Sequence, residues 1–134
     1  MLIKFSIKAP IGYIILSRPA SLNALNSQLK AELNNVLDDV ILNDNIRVVI
    51  IAGEGRAFCA GSDIKELYQV EPSEAEKLMR ETKNLCRRVE EFPKMTIAAI
   101  NGYALGGGFG LVLASDLRVA GETAMFGFPE IKLG

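Results

Sequence analysis

The sequence predicts an α/β fold, and three observations carry that prediction. Apolar residues from Leu29 to Ile41 recur at helical spacing, which demands a sheet for their stripe to pack on. Arg47 to Ala52 holds a Val-Val-Ile-Ile run without alternation, as in a parallel strand buried on both faces. Thr96 to Ile100 is a further buried strand that leads through glycines into an apolar helix.

The elements follow in order. Met1 to Lys8 alternates apolar Met1, Ile3, Phe5 and Ile7 with polar residues, so it reads as a half-buried strand and not as a signal sequence. Pro10, Ile11 and Gly12 turn the chain into a return strand, Tyr13 to Ser17, which stops before Arg18-Pro19. Asn26 or Ser27 caps the next helix; Leu29, Leu33, Val36, Leu37, Val40 and Ile41 form its apolar face, with Lys30, Asn34 and Asp38 opposite. After the Arg47 to Ala52 strand, Asp63 and Glu66 have capping-box spacing at the start of a short helix. Ser73 and Glu76 repeat that spacing before Leu78, Thr82, Leu85, Val89 and Phe92, and Pro93 ends the pattern. Phe109 to Ser115 is a helix, and Asp116 to Ala120 and Thr123 to Phe126 are strands. The predicted order is β-β-α-β-α-α-β-α-β-β.

Composition narrows the function. The 134 residues fit one domain, residues 1–134, and 49% hydrophobic with 23% charged residues is a soluble globular composition. Fifteen basic and sixteen acidic residues leave a formal charge of −1, so no one-sided field favours nucleic acid. No apolar run reaches the roughly 18 residues of a membrane span, so no membrane partner is expected. Histidine is absent, which excludes Ser-His and Cys-His nucleophile pairs and the usual zinc sites; no metal is expected. Cys59 and Cys86 read as reduced, buried thiols, which points to the cytoplasm.

Asn101 to Gly110 (NGYALGGGFG) is the stretch most suggestive of chemistry. Gly106, Gly108 and Gly110 recur at every second residue, which is neither a G-x-G-x-x-G fingerprint nor a P-loop. Two readings stand: the glycines allow tight helix-on-strand packing, or they bring a backbone amide to a ligand. Ala57 to Lys65 (AFCAGSDIK) is a second strand-to-helix turn of small residues with free amides at a helix start. Two such amides converging on one carbonyl would form an oxyanion hole, able to stabilise the enolate of a thioester.

These stretches resemble the enoyl-CoA hydratase/isomerase family, the crotonases. The resemblance lies in Arg18-Pro19 with Leu22 to Leu25, in Ala57-Phe58, Ala60-Gly61 and Asp63 to Lys65, in Asn101 to Gly108, and in Phe126-Gly127, Pro129-Glu130 and Leu133-Gly134, all in the family's order. It implies a crotonase-like spiral of repeated ββα units. It also implies an acyl-CoA thioester as substrate, with coenzyme A part of the substrate and no other cofactor, and homo-oligomers such as trimers or hexamers. The Ser62 and Gly107 amides would be the oxyanion donors, so the Ser62 hydroxyl would not be a nucleophile. Asp63, Ile64 and Lys65 would line the acyl-CoA channel, Lys65 meeting CoA phosphate. Ala20 to Ala24 would border the adenine and pantetheine end, and Ala60 and Gly110 would also be substrate-binding positions; alanine replaces a basic residue of some members at position 20, leaving Lys65 and Arg18 to hold CoA. Glu130 would be the general acid or base, set in an apolar pocket.

Two departures from the family pattern matter. Hydratases carry a second glutamate where this chain has Gly110. One carboxylate is still enough to move a proton from C2 to C4 of an enoyl thioester, the isomerase branch, and other members with different acids carry out dehalogenation, ring cleavage or hydrolysis. The resemblance thus implies a CoA-thioester enolate site and leaves lyase or isomerase open. The chain also corresponds to about half of a family member and is expected to lack the C-terminal helical part, as a fragment or short form. The alternative expectation is a catalytically impaired fragment, or a non-catalytic acyl-CoA-binding or oligomerisation module.

Overall fold

The computed structural model describes residues 1–133. Strands β1 (Ile3–Lys8) and β2 (Ile11–Leu16) form an antiparallel hairpin, Ile3 opposite Leu16. Helix α1 (Ser27–Leu42) follows, capped by Asn26, whose side chain accepts from the Leu29 amide. The chain then passes three times through the same pair of strands: β3 (Val48–Gly53) and β4 (Ala57–Cys59), β5 (Met95–Ile100) and β6 (Tyr103–Leu105), β7 (Leu117–Ala120) and β8 (Met125–Gly127). Helices α2 (Ile64–Tyr68) and α3 (Pro72–Glu90) follow the first pair, α4 (Gly107–Ala114) the second and α5 (Glu130–Leu133) the third. This is the ββα spiral that the resemblance implied.

The first strand of each pair enters a five-stranded sheet of order β1-β2-β3-β5-β7, and the second enters a three-stranded sheet of order β4-β6-β8. All pairings after the hairpin are parallel. Strands β4 and β6 are absent from the predicted order because three residues are too few to show a period of two. In β3, Val49 and Ile51 are buried and Val48 and Ile50 half-buried, so the expected burial of both faces is complete on one face only.

The core joins the larger sheet and helices α1 and α3 to β4, β6 and α4. Leu29, Leu33, Leu37 and Val40 of α1 are wholly shielded, and truncating one of the leucines to alanine should cost about 2–5 kcal/mol. Lys30, which the sequence pattern sets opposite the apolar face of α1, is buried against α3, its Nζ donating to Leu78 O at 2.9 Å, and Arg88 bonds Asn34 Oδ1 at 2.9 Å and pairs with Asp38. The polar side of α1 is thus a helix–helix seam. One expectation about the helices is corrected: Ser73 and Glu76 do not cap α3, which begins earlier, at Pro72 after Glu71, with no side-chain cap; proline's fixed φ suits that first helical position.

Asp116 lies just before β7 and clasps β5: its Oδ2 accepts from the Thr96 amide at 2.8 Å, and its own amide donates to Thr96 Oγ1 at 3.0 Å. No helix among the described residues is long and apolar enough to cross a membrane.

Candidate active site

The three-stranded sheet builds the site. Because β4, β6 and β8 run parallel and adjacent, the turns that leave their C-terminal ends emerge side by side, where α/β folds commonly bind ligands. Those turns carry Ser62, Gly107 and Glu130.

The first two turns touch. Gly61 has φ of 94°, and a Cβ there would stand 2.7 Å from Leu105 O and 3.2 Å from Gly107 N. Only glycine lets the chain fold back so closely. Gly107 opens α4, so its N–H has no partner within the helix, and among the described residues neither it nor the Ser62 N–H donates a backbone bond elsewhere. Gly108 backs directly onto the Cys59 carbonyl, with no room for a side chain.

The third turn brings a carboxylate. Gly106 has φ of 53°, its amide donates to Gly127 O at 2.9 Å, and a Cβ on it would stand 2.5 Å from Glu130 Oε2. Glu130 therefore lies over the turn that presents Gly107. An aromatic cluster ties the segment before it to α4: the Phe109 ring stacks on Phe128 at 4.9 Å between centroids and tilts against Phe126 at 5.4 Å. The expected apolar pocket around Glu130 is not closed, since Glu130, Phe126 and Phe128 are exposed.

Asp63 caps α2, its Oδ1 accepting from the amides of Lys65 at 3.0 Å and Glu66 at 3.3 Å. Only half of the expected capping box forms, because Glu66 turns instead to the Ser27 amide at 3.0 Å. Asp63 also pairs with Arg18 at 2.8 Å, the two side chains 11% and 23% exposed. Burial raises the Asp63 carboxyl, but the Arg18 hydrogen bond and charge together with the two amides outweigh it and hold the group below its ordinary value. Arg18 further donates to Ala24 O at 3.1 Å, so it is engaged within the chain, whereas Lys65 and Ile64 are exposed. Ala24 is buried and Ala60 half-buried, its amide bonded to Leu22 O at 2.9 Å.

Gly110 does not join the contact of the two turns. One helical turn along α4 it borders a groove of about 350 Å³ between α3 and α4, lined also by Lys83, Cys86 and Arg87. A Cβ there would stand 3.0 Å from Cys86 Sγ. Both cysteines are free thiols; burial pushes Cys59 up to about 12 and Cys86 up to about 11.

Asn23 has a structural part that the sequence reading did not give it. Fully buried at φ of 57°, it donates to Glu54 O, Ala57 O and Phe58 O at 3.1, 2.9 and 3.3 Å, and its Oδ1 accepts from the Arg18 amide at 2.8 Å. It stitches the Arg18–Leu25 loop to β4. Asparagine between an Arg-Pro turn and an apolar pair was the available signal, since asparagine tolerates the left-handed region and bonds nearby backbone.

Comparison with known proteins gives the family. The family profile described as Enoyl-CoA hydratase/isomerase matches residues 6–134. The chain belongs to the enoyl-CoA hydratase/isomerase family. A probable enoyl-CoA hydratase of Bacillus subtilis is 46% identical over 113 residues, covering 84% of this chain and 44% of the relative. The 2,3-dehydroadipyl-CoA hydratase of Escherichia coli is 45% identical over 126 residues, covering 90% and 47%. The crystal structure of an enoyl-CoA hydratase from Bacillus anthracis superposes with a TM-score of 0.96 at 38% identity, over 100% of this chain and 53% of that one. The chain thus spans about half the length of the family members it matches.

Proposed function

We propose that this family member binds an acyl-CoA thioester and stabilises its enolate. The Ser62 and Gly107 amides donate to the thioester oxygen, and Glu130 takes and returns the proton. The observation that carries the reading is the contact of the Gly61 and Gly107 turns beneath the Glu130 carboxylate. Amides fixed before the reaction stabilise charge as it develops and need no reorganisation, which is worth about 3–4 kcal/mol per donor. Ala24, Ala60, Asp63 and Ile64 line the path of the thioester arm, and Lys65, exposed at the start of α2, meets CoA phosphate. Arg18 pairs with Asp63 through one guanidinium nitrogen and acts through it on the start of α2.

Glycine at position 110 supplies no second carboxylate, so proton transfer between C2 and C4 of an enoyl thioester fits this chain better than addition of water. The test is exchange of the C2 hydrogen of an acyl-CoA for solvent deuterium, together with conversion of a 3-enoyl-CoA to its conjugated isomer. Both should fall by at least about 100-fold in Glu130→Gln. Unchanged rates would remove Glu130 from the chemistry.

A second reading, a non-catalytic acyl-CoA-binding or oligomerisation module, draws support from the exposure of Leu117, Val119, Met125, Phe126 and Ile131. Self-association would cover them. Acyl-CoA binding by calorimetry without exchange would favour that reading.

A further inference from the structure

Gly107 has no side chain of its own, and its backbone is held from two sides. A Cβ there would stand 2.7 Å from Thr82 Cγ2 and 3.3 Å from Leu25 Cδ1, so methyl groups of both residues rest on the peptide that carries the proposed donor. Leu25 and Thr82 are both buried, at 2% and 8% exposure. Leu25 also reaches the other turn: its amide donates to Gly61 O at 2.7 Å, in bridge register with Ser62. One residue is thus tied to the Ser62 turn by its backbone and to the Gly107 turn by its side chain.

Thr82 comes from α3, and its turn of that helix is anchored. Lys30 Nζ donates to Leu78 O at 2.9 Å and pairs with Glu81 at 3.4 Å, while Thr82 Oγ1 donates to the same Leu78 carbonyl at 3.3 Å. Threonine is branched at Cβ, so holding the hydroxyl on that carbonyl also fixes where the methyl points. The methyl points at Gly107.

We propose that Thr82 is a positioning residue for the Gly107 amide, its γ-methyl setting, with Leu25, the separation of the Ser62 and Gly107 donors. The proposal rests on the reading of those two amides as donors to a thioester oxygen. Thr82 itself touches no substrate.

Two substitutions separate packing from hydrogen bonding. Thr82→Val keeps a methyl on Gly107 and loses the hydroxyl; Thr82→Ser keeps the hydroxyl and loses the methyl. The readout is the red shift of a conjugated 2,4-dienoyl-CoA on binding, which reports how strongly the carbonyl is polarised. Wild type and Thr82→Val should shift the absorbance alike. Thr82→Ser should lose most of the shift and roughly 10- to 100-fold in kcat for proton exchange, with KM little changed, as expected for a donor misplaced by a fraction of an ångström. A full shift in Thr82→Ser, or loss in Thr82→Val alone, overturns the positioning role. No shift in wild type overturns the underlying reading of the two amides, and the proposal with it.

Discussion

Gly61→Ala tests the contact on which the site depends. The residue sits at φ of 94°, which an L side chain enters at a cost of about 1–3 kcal/mol. The added methyl would stand 2.7 Å from Leu105 O and 3.2 Å from Gly107 N, inside the 3.4 Å at which ordinary contact begins. Both are backbone atoms, of a strand and of a helix start, so neither can rotate away. Relief requires the two turns to separate, and overpacking of this kind costs about 1–3 kcal/mol more. The sum, about 2–6 kcal/mol, is a large share of a domain's usual stability of about 5–15 kcal/mol. Gly121→Ala is the internal control: φ there is not positive and the nearest atom, Ile100 O, would be 3.6 Å away, so the change should stay within about 0.5 kcal/mol. Urea unfolding followed by far-ultraviolet circular dichroism measures both. Equal midpoints for Gly61→Ala and Gly121→Ala would show that the two turns are not in contact.

Three further outcomes are expected. Asp63→Asn should cost about 1–3 kcal/mol at pH 7 by unpairing Arg18. Because the folded Asp63 value lies below its ordinary 3.8, the contribution is full above that pH and lost as pH falls through the folded value, so the gap to wild type should close on acidification; a pH-independent gap would refute the pairing. Gly110→Glu should destabilise by about 1–3 kcal/mol against Cys86 Sγ, and Cys86→Ala in the same chain should recover at least about 0.5 kcal/mol of it; strict additivity in the double-mutant cycle would show no contact. With burial raising Cys59 to about 12 and Cys86 to about 11, a thiol reagent at pH 8 should label the native chain far more slowly than the urea-unfolded one, and equal rates would contradict the burial.

Much of the fold was legible because its long elements are periodic. Helix α3 runs over 19 residues, and the buried Leu78, Thr82, Leu85 and Val89 recur at spacings of three and four, a pattern that packing alone produces. Strands β4 and β6 were not legible. Three residues each, they are stabilised by parallel partners distant in sequence, Ala57 opposite Tyr103 and Tyr103 opposite Met125, and such pairing leaves no local mark. The burial of Lys30 is a related case, because only the packing of α3 brings a carbonyl and Glu81 to it.

The candidate site divides in the same way. The sequence by itself determined which residues could do chemistry: without histidine, carboxylates, hydroxyls, amines and backbone are the groups left, and two small-residue turns offer amides at helix starts. It also carried the order of motifs that marks the family. Tertiary structure decided that the turns carrying Ser62, Gly107 and Glu130 lie side by side, since only the parallel order β4-β6-β8 sets them so. It also decided that Arg18 is committed to Asp63, that Gly110 opens toward Cys86, and that Glu130 lies over Gly106 instead of inside a closed pocket. The physical reason is range: helix starts and turn conformations are set by neighbours along the chain, whereas the distance between two turns is set by the strands and side chains that pack between them.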